Sequence, residues 1–251
     1  MRGVNSCETP MRRAVIIILL PLLLVMAVSK RTTEPAVIVW AWERPEDLTF
    51  LDPEKTSVAF LAKTIYLRGD KVVAKPRLQP LKTAPGTRLI AVIRIETDRT
   101  NFPTLSSLQA QQTANEIRNS SVSSVVQIDF DAKVSERNFY RELLTLVRRQ
   151  LPQSTALSIT ALASWCAGDD WLRDLPIDEA VPMLFRLGVD QRQFQRRLET
   201  GQPFESRQCQ NAAGVSTDEP VTAPQVDRLY IFNPQPWSKD SFNNAMEIYI
   251  R

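Results

Sequence analysis

The chain contains no histidine. Without imidazole there is no Ser-His-Asp or Cys-His hydrolytic machinery, no imidazole metal ligand, and no side chain whose ordinary pKa lies between about 5 and 8. Cysteine is scarce. Cys7, Cys166 and Cys209 are the only three among 251 residues, and none forms a C-x-x-C pair, which excludes zinc-ribbon and thioredoxin-like readings. Only seven glycines occur, with no G-x-G-x-x-G or G-x-x-x-x-G-K-[ST] run, so the common nucleotide cradles are missing. Neither sign of charge dominates, with 31 Lys and Arg against 28 Asp and Glu. Chemistry is left to carboxylates, amides, hydroxyls, Arg, Lys and aromatic rings, and neither a metal nor a cofactor is expected.

One long apolar run is present. Residues 14–28, preceded by Met11-Arg12-Arg13, are fifteen apolar positions that as a helix reach about 22 Å, short of the ~30 Å hydrocarbon core. Ala27-Val28-Ser29 supplies the small residues of a signal-peptidase cut before Lys30. Residues 1–29 therefore read as a signal peptide or, if retained, a signal anchor. Residues 30–251 are expected to be exported, either periplasmic or anchored on the outer side of the cytoplasmic membrane. Membrane contact is expected only through an uncleaved leader. The exported part carries 28 positive and 27 negative side chains, too balanced for a nucleic-acid binder. Cys166 and Cys209 remain as an even pair in a disulfide-permissive compartment. They read as a bridge holding the polar 190–211 stretch beside a site, or else as two small buried apolar residues.

From Ala36 onward, β-branched apolar runs alternate with amphipathic stretches. Strands are expected at 36–42, 58–62 with 64–67, 89–96, 125–131, 157–163, 180–185 and 228–233, with a weakly marked seventh at 212–217. Helices are expected over 105–118, capped by Thr104 or Ser106, and after Ser135, where Phe139, Leu143, Leu146 and Val147 form one stripe. A last helix opens at Asp240 or Ser241. Strands alternating with helices imply parallel βαβ units. About eight units over 30–251 suit an α/β fold of the (β/α)8, TIM-barrel-like kind in a single domain, with strand seven irregular or missing. A doubly wound open sheet is the competing fold, but it usually carries a glycine-rich first turn, absent here.

In such barrels the working face lies at the C-terminal ends of the strands, and there this sequence gathers charges and rings. Arg94 and Glu96 are two apart and share a face, as do Asp129 and Asp131. Trp40, Trp42 and Glu43 end the first strand, Trp165 follows the fifth, and Asn233 and Trp237 follow the eighth. Paired carboxylates beside aromatic platforms suit glycoside chemistry, in which one acid protonates the glycosidic oxygen and another stabilises or attacks the oxocarbenium-like centre. Asp129, Asp131 and Glu96 are the catalytic candidates. Arg94, Trp42, Glu43, Trp165, Asn233 and Trp237 are the substrate-binding candidates, with a polysaccharide or oligosaccharide as partner. The competing readings are a structural salt bridge of Arg94 with Glu96 or Asp129, and wall packing for Trp40 and Trp42. For the whole protein, a non-catalytic carbohydrate-binding barrel and an envelope protein-interaction module are the alternatives.

Several stretches resemble an uncharacterised bacterial family associated with exported proteins and catalogued only as a domain of unknown function. They are Val39-Trp40-Ala41-Trp42-Glu43-Arg44, Ile93-Arg94-Ile95-Glu96, Gln127-Ile128-Asp129-Phe130-Asp131-Ala132, Ser158-Ile159-Thr160-Ala161-Leu162-Ala163-Ser164-Trp165-Cys166, Asp178-Glu179-Ala180-Val181-Pro182-Met183 and Phe232-Asn233-Pro234. The resemblance spans about residues 36–251 and implies no established activity. More distantly the chain is similar to chitinase-like glycoside hydrolases, whose fourth strand carries D-x-x-D-x-D-x-E. Asp129 and Asp131 match the last two aspartates, Met183-Leu184-Phe185 resembles the sixth-strand segment, and Trp237 matches a floor tryptophan. Val126 stands where that pattern has its first Asp, and Lys133 where it has the catalytic Glu, so that mechanism does not transfer as it stands.

Overall fold

The computed structural model describes residues 36–250 apart from 121–122, 189–190 and 223–224, together with residues 1 and 3. The leader and its cut before Lys30 lie outside the described residues. Eight parallel strands close into a barrel in the order β1 (Ala36–Ala41), β3 (Thr56–Arg68), β6 (Leu89–Thr97), β7 (Val125–Asp129), β8 (Ala156–Leu162), β9 (Glu179–Met183), β10 (Ala212–Ser216) and β11 (Arg228–Phe232), which pairs back to β1. A TIM-barrel-like α/β domain is what the alternation predicts. Two small additions were not foreseen: β2 (Glu46–Leu48) and β5 (Leu81–Thr83) form a separate parallel pair. A turn after Arg68 leads into β4 (Lys71–Pro76), antiparallel to β3. Helices α1 (Ser107–Arg118), α2 (Arg137–Gln150), α3 (Ala163–Cys166), α4 (Gln191–Glu199) and α5 (Lys239–Tyr249) fall between or after the strands.

Local chemistry accounts for the shifts in boundary. The second strand is continuous rather than two pieces, with its register slipping between Leu61 and Lys63 where it pairs with β6. Ser106, not Thr104, caps α1 by accepting the Gln109 N–H. Ser135 does not cap α2. It lies in a 3-10 turn, Val134–Glu136, closed by the Glu136 carboxylate accepting the Lys133 N–H at 2.8 Å. Ser238 caps α5 ahead of the two residues expected. Strand seven is neither missing nor irregular along its own length, pairing with β11 over five residues. Its other seam is thin: β10 meets β9 in register at Gly214 and Met183 alone, where Pro182 offers no N–H.

Period-two alternation sorts the strand residues onto two surfaces. Val37, Val39, Ile93, Ile128, Ile159 and Ile231 face outward into the layer shared with the helices. Ile38, Trp40, Ala59, Val92, Val181 and Tyr230 fill a separate core inside the barrel. A buried polar chain crosses that interior. Trp40 Nε1 donates to Gln127 Oε1 at 2.9 Å, Gln127 Nε2 to Ser158 Oγ at 3.2 Å, and Ser158 Oγ to Glu179 Oε1 at 2.9 Å. Tyr230 and Arg228 also donate to the Glu179 carboxylate. Every member thus gains a partner that compensates its loss of water.

Cys166 and Cys209 form a disulfide across a sequence separation of 43, with Cα atoms 5.9 Å apart. Both are fully buried in the outer layer and neither lines the mouth of the barrel, so the bridge is not the site strap expected from the sequence. It ties the return segment at Arg207–Cys209 to the flank where β8 and β9 are joined only by the four-residue α3 and a short 3-10 turn. Glu205 and Ser206 N–H groups both donate to the Cys166 carbonyl. Converting both cysteines to serine is expected to lower stability by about 3–4 kcal/mol in denaturant titrations, the chain-entropy value for a loop of this length. An unchanged midpoint overturns it.

Gly214 is the one strand glycine whose missing side chain is structurally demanded: a Cβ there would lie 2.9 Å from Trp40 Cη2. Trp40 is held by its bond to Gln127 and cannot swing away cheaply. Gly214→Ala should cost about 1–3 kcal/mol and alter the tryptophan emission; wild-type stability and spectrum would show that the indole is free to shift.

Candidate functional site

A cavity of about 830 Å³ opens at the C-terminal ends of the strands, the size of a small-ligand site. Its floor is made by residues in phase with the barrel interior. Two positions beyond Gln127 on β7 comes Asp129, and two beyond Ser158 on β8 comes Thr160; both line the cavity with Val92 and Trp40. Arg94 and Glu96 rise from the end of β6, and Asp131 follows β7 toward the opening. The three catalytic candidates Glu96, Asp129 and Asp131, with Arg94 and Trp42, are therefore brought together at one cavity.

Their electrostatics differ. Asp129 accepts a hydrogen bond from Thr160 Oγ1 at 2.7 Å, yet its pKa is pushed up to about 6. Burial is the main cause and the charge of Asp131 the next; the Thr160 bond and Arg94 pull the other way. Asp131, reaching solvent through the mouth, is also raised, by burial against the opposing pull of Arg94. Arg94 does not neutralise this pair by contact. Its Nε lies 2.7 Å from Glu96 Oε1, and its guanidinium sits over the Trp42 ring, 5.3 Å from the centroid. Of the two salt bridges foreseen for Arg94, the one with Glu96 forms. Behind the floor, Tyr140 is fully buried, 5.1 Å from Phe130 centre to centre, and its hydroxyl is raised well above its ordinary pKa by burial and by the charges of Asp129 and Asp131.

An aromatic wall faces the acids. Phe185 and Phe232 stack with centroids 5.6 Å apart and planes 6° from parallel, and Trp42 meets Phe232 edge-on at 6.3 Å. All three rings are half-buried. Sequence reasoning missed both phenylalanines as site residues. Phe232 was within reach of it, since it lies two positions beyond the interior Tyr230 on β11. Phe185 was too, since it ends the strand expected over 180–185 and lies four positions beyond the interior Val181, although β9 itself stops at Met183.

Four binding candidates are not part of this cavity. Trp165 is buried in the outer layer, edge-on to Trp171 at 4.9 Å, because the chain turns straight into α3 and carries it outward. Trp237 is buried as well, donating Nε1 to the Trp40 carbonyl at 2.9 Å while its own N–H meets Glu46 Oε2 at 2.9 Å. It braces the back of β1 instead of flooring the cavity. Asn233 is buried with Oδ1 accepting from Thr217 Oγ1 at 2.9 Å. Glu43 is exposed and off the cavity.

A polar clamp that the sequence did not reveal holds the wall. Arg44 donates to Glu46 at 2.7 Å and to the carbonyls of Asn233, Pro234 and Gln235. Arg77 donates to the carbonyls of Ala41 and Trp42. These bonds fix the chain just after β1 and β11, from which Trp42 and Phe232 project. Opposite, Arg186 sits at φ +56°, a conformation unfavourable for a residue with a Cβ. It is held by its N–H to Glu219 Oε2 at 2.7 Å and its guanidinium to Asp218 at 3.1 Å, with Phe232 5.9 Å below.

Among the described residues, no three carboxylates or thiols are grouped so as to hold a metal ion. No family model, curated protein or solved structure matches the chain.

The raised pKa of Asp129 carries a stability consequence. The folded chain holds this proton more tightly than the unfolded chain. The group's contribution is fully present below pH about 4, declines as pH climbs from 3.8 toward about 6, and is lost above. At about 1.4 kcal/mol per unit the loss is up to about 3 kcal/mol. Asp129→Asn, whose amide oxygen still accepts from Thr160, should be more stable than the parent at pH 7 by up to that amount and level with it near pH 4. A variant markedly weaker at pH 7 would make the carboxylate part of the scaffold.

Proposed function

We propose that the chain is an exported, glycoside-hydrolase-like barrel that takes a polysaccharide into this cavity and cleaves a glycosidic bond there. The observation that carries the reading is Asp129, a half-buried acid with its pKa pushed up to about 6, two residues from a second carboxylate and facing a wall of rings. Two positions along an extended chain set the Cα atoms about 6.6 Å apart, a spacing from which the two side chains can reach the ~5–9.5 Å carboxyl separation of glycosidases. Asp129 gives its proton to the glycosidic oxygen as the bond to the anomeric carbon breaks. Asp131 faces the oxocarbenium-like centre, and water supplies the hydroxyl that replaces the leaving sugar while its other proton passes to the Asp131 carboxylate, from which solvent returns it to Asp129. Glu96 keeps Arg94 over Trp42, close enough to tune both acids. Phe185, Phe232 and Trp42 offer apolar faces for sugar rings. Export is supported by the leader-like residues 1–29 and by the disulfide.

A second reading, a barrel that binds glycan without cutting it, is favoured by Lys133. It lines the cavity where chitinase-like enzymes place the catalytic acid.

Incubating the full chain with a panel of envelope and extracellular polysaccharides, with products detected by mass, separates the two. Cleavage should be fastest below pH 6 and fall about tenfold per pH unit above it, as Asp129 loses its proton. Asp129→Asn should lose about 10²–10⁴-fold in rate. Asp131→Asn should lose activity with stability equal to the parent or slightly higher. Binding without products selects the second reading, and full activity in Asp129→Asn removes the first.

A further inference from the structure

The cavity is polarised across its width, and the polarity bears on which glycan fits. Four cations line it: Arg94, Arg99, Lys133 and Arg186. Two are spoken for. Arg94 is paired with Glu96 at 2.7 Å, and Arg186 with Asp218 at 3.1 Å. Lys133 Nζ comes no nearer than 4.0 Å to Glu136, and Arg99 forms no ion pair among the described residues. Both are exposed. Arg99 follows β6 and Lys133 follows β7, and these strands are neighbours in the barrel. The two cations thus stand on adjacent loops on one side of the mouth. The aromatic wall comes from the other side, from the ends of β9, β11 and β1.

Resting on the reading of the cavity as a glycan site, we infer that its substrate is an acidic glycan whose uronate carboxylate is recognised by Arg99 and Lys133. A neutral sugar stacked on the rings needs hydroxyl partners only. It gains nothing from two cations without close counter-ions on the facing side. A uronic acid stacked on Phe185 and Phe232 directs its planar carboxylate toward that side, where the guanidinium fork of Arg99 donates two hydrogen bonds to it and Lys133 adds a point charge. Field lines from both cations are concentrated in the cavity, which favours capture of an anion. The acids at the floor remain free for the bond that is cut.

The test uses the full chain and a set of uronate oligosaccharides (galacturonate, glucuronate and mannuronate types), each paired with its carboxyl-reduced form, in which every uronate has become the neutral hexose. At least one uronate should bind about tenfold more tightly than its reduced partner at low salt, with the preference shrinking as salt rises. Arg99→Ala and Lys133→Ala should each cut the uronate-to-neutral ratio by about fivefold or more, with circular dichroism confirming an intact fold. If reduced oligosaccharides bind as well as the acids, the glycan reading stands and the acidic substrate is wrong. A preference untouched by either substitution overturns the assignment of Arg99 and Lys133. If the folded chain binds neither an acidic nor a neutral glycan, in this set or in the polysaccharide panel, the glycan reading itself fails and the inference goes with it.

Discussion

The indole of Trp40, laid across the barrel interior, is the constraint on which the site depends. It packs against Tyr230 with ring centres 5.3 Å apart, donates to Gln127, and occupies the space that a side chain at position 214 would need. Beneath it the Gln127–Ser158–Glu179 chain uses up the polar groups of three successive strands. The barrel is therefore plugged at this level, and the cavity has a floor. The next interior positions on β7 and β8, Asp129 and Thr160, are the first polar residues above the plug. Their chemistry follows from that height: deep enough to be desolvated, high enough to meet a ligand.

Desolvation alone does not explain the acid. A carboxylate so placed beside a guanidinium would ordinarily be held ionised by it. Here Arg94 is drawn aside, with its Nε on Glu96 and its plane over Trp42, and it reaches Asp129 only through space. Glu96 thus acts on Asp129 twice: its own charge raises the pKa, and by engaging Arg94 it weakens the counterweight. The salt bridge that the sequence offers as a structural alternative is real, and it is also what leaves Asp129 and Asp131 without a cation in contact. Scaffold and chemistry are the same interaction here.

Much of this was legible in the sequence, for a definite reason. Strand periodicity fixes which side chains share a face, so the sequence alone sets Arg94 beside Glu96, and Asp129 beside Asp131, as they stand at the cavity. Periodicity stops where strands stop. Trp165 and Trp237 lie beyond the strand ends, where α3 and the clamp of Arg44 and Glu46 decide the direction of the chain, and both turn into packing. Phe185 lies beyond a strand end too and turns inward to the cavity. The disulfide followed from the parity of the two cysteines that remain once a leader is set aside, and from the redox compartment such a leader implies. Its place on the flank did not, since nothing local marks where β8 and β9 lack a long covering helix.

The barrel is not equally regular around its circumference, and its irregular seam lies on the side that carries the rings. β9 and β10 meet in register at one pair of residues, with the Leu184 N–H reaching the Gly214 carbonyl at 2.8 Å just beyond it. Pro182 removes a donor from that seam and Gly214 removes a side chain, the latter to admit Trp40. Immediately afterwards the chain passes through Phe185 and the left-handed Arg186, whose cost is met by Glu219 and Asp218 from the loop after β10. The β6–β7–β8 arc, by contrast, is paired without interruption and carries the acids. A rigid arc therefore holds groups whose pKa depends on fixed burial. In the aromatic wall, where contact is apolar and tolerant of small shifts, Phe185 follows the thinnest hydrogen-bond ladder, while Trp42 and Phe232 stand at the ends of strands paired over four and five residues. On that side the disulfide, the Arg44 and Arg77 clamp and the Arg186 ion pairs do what backbone pairing does on the other.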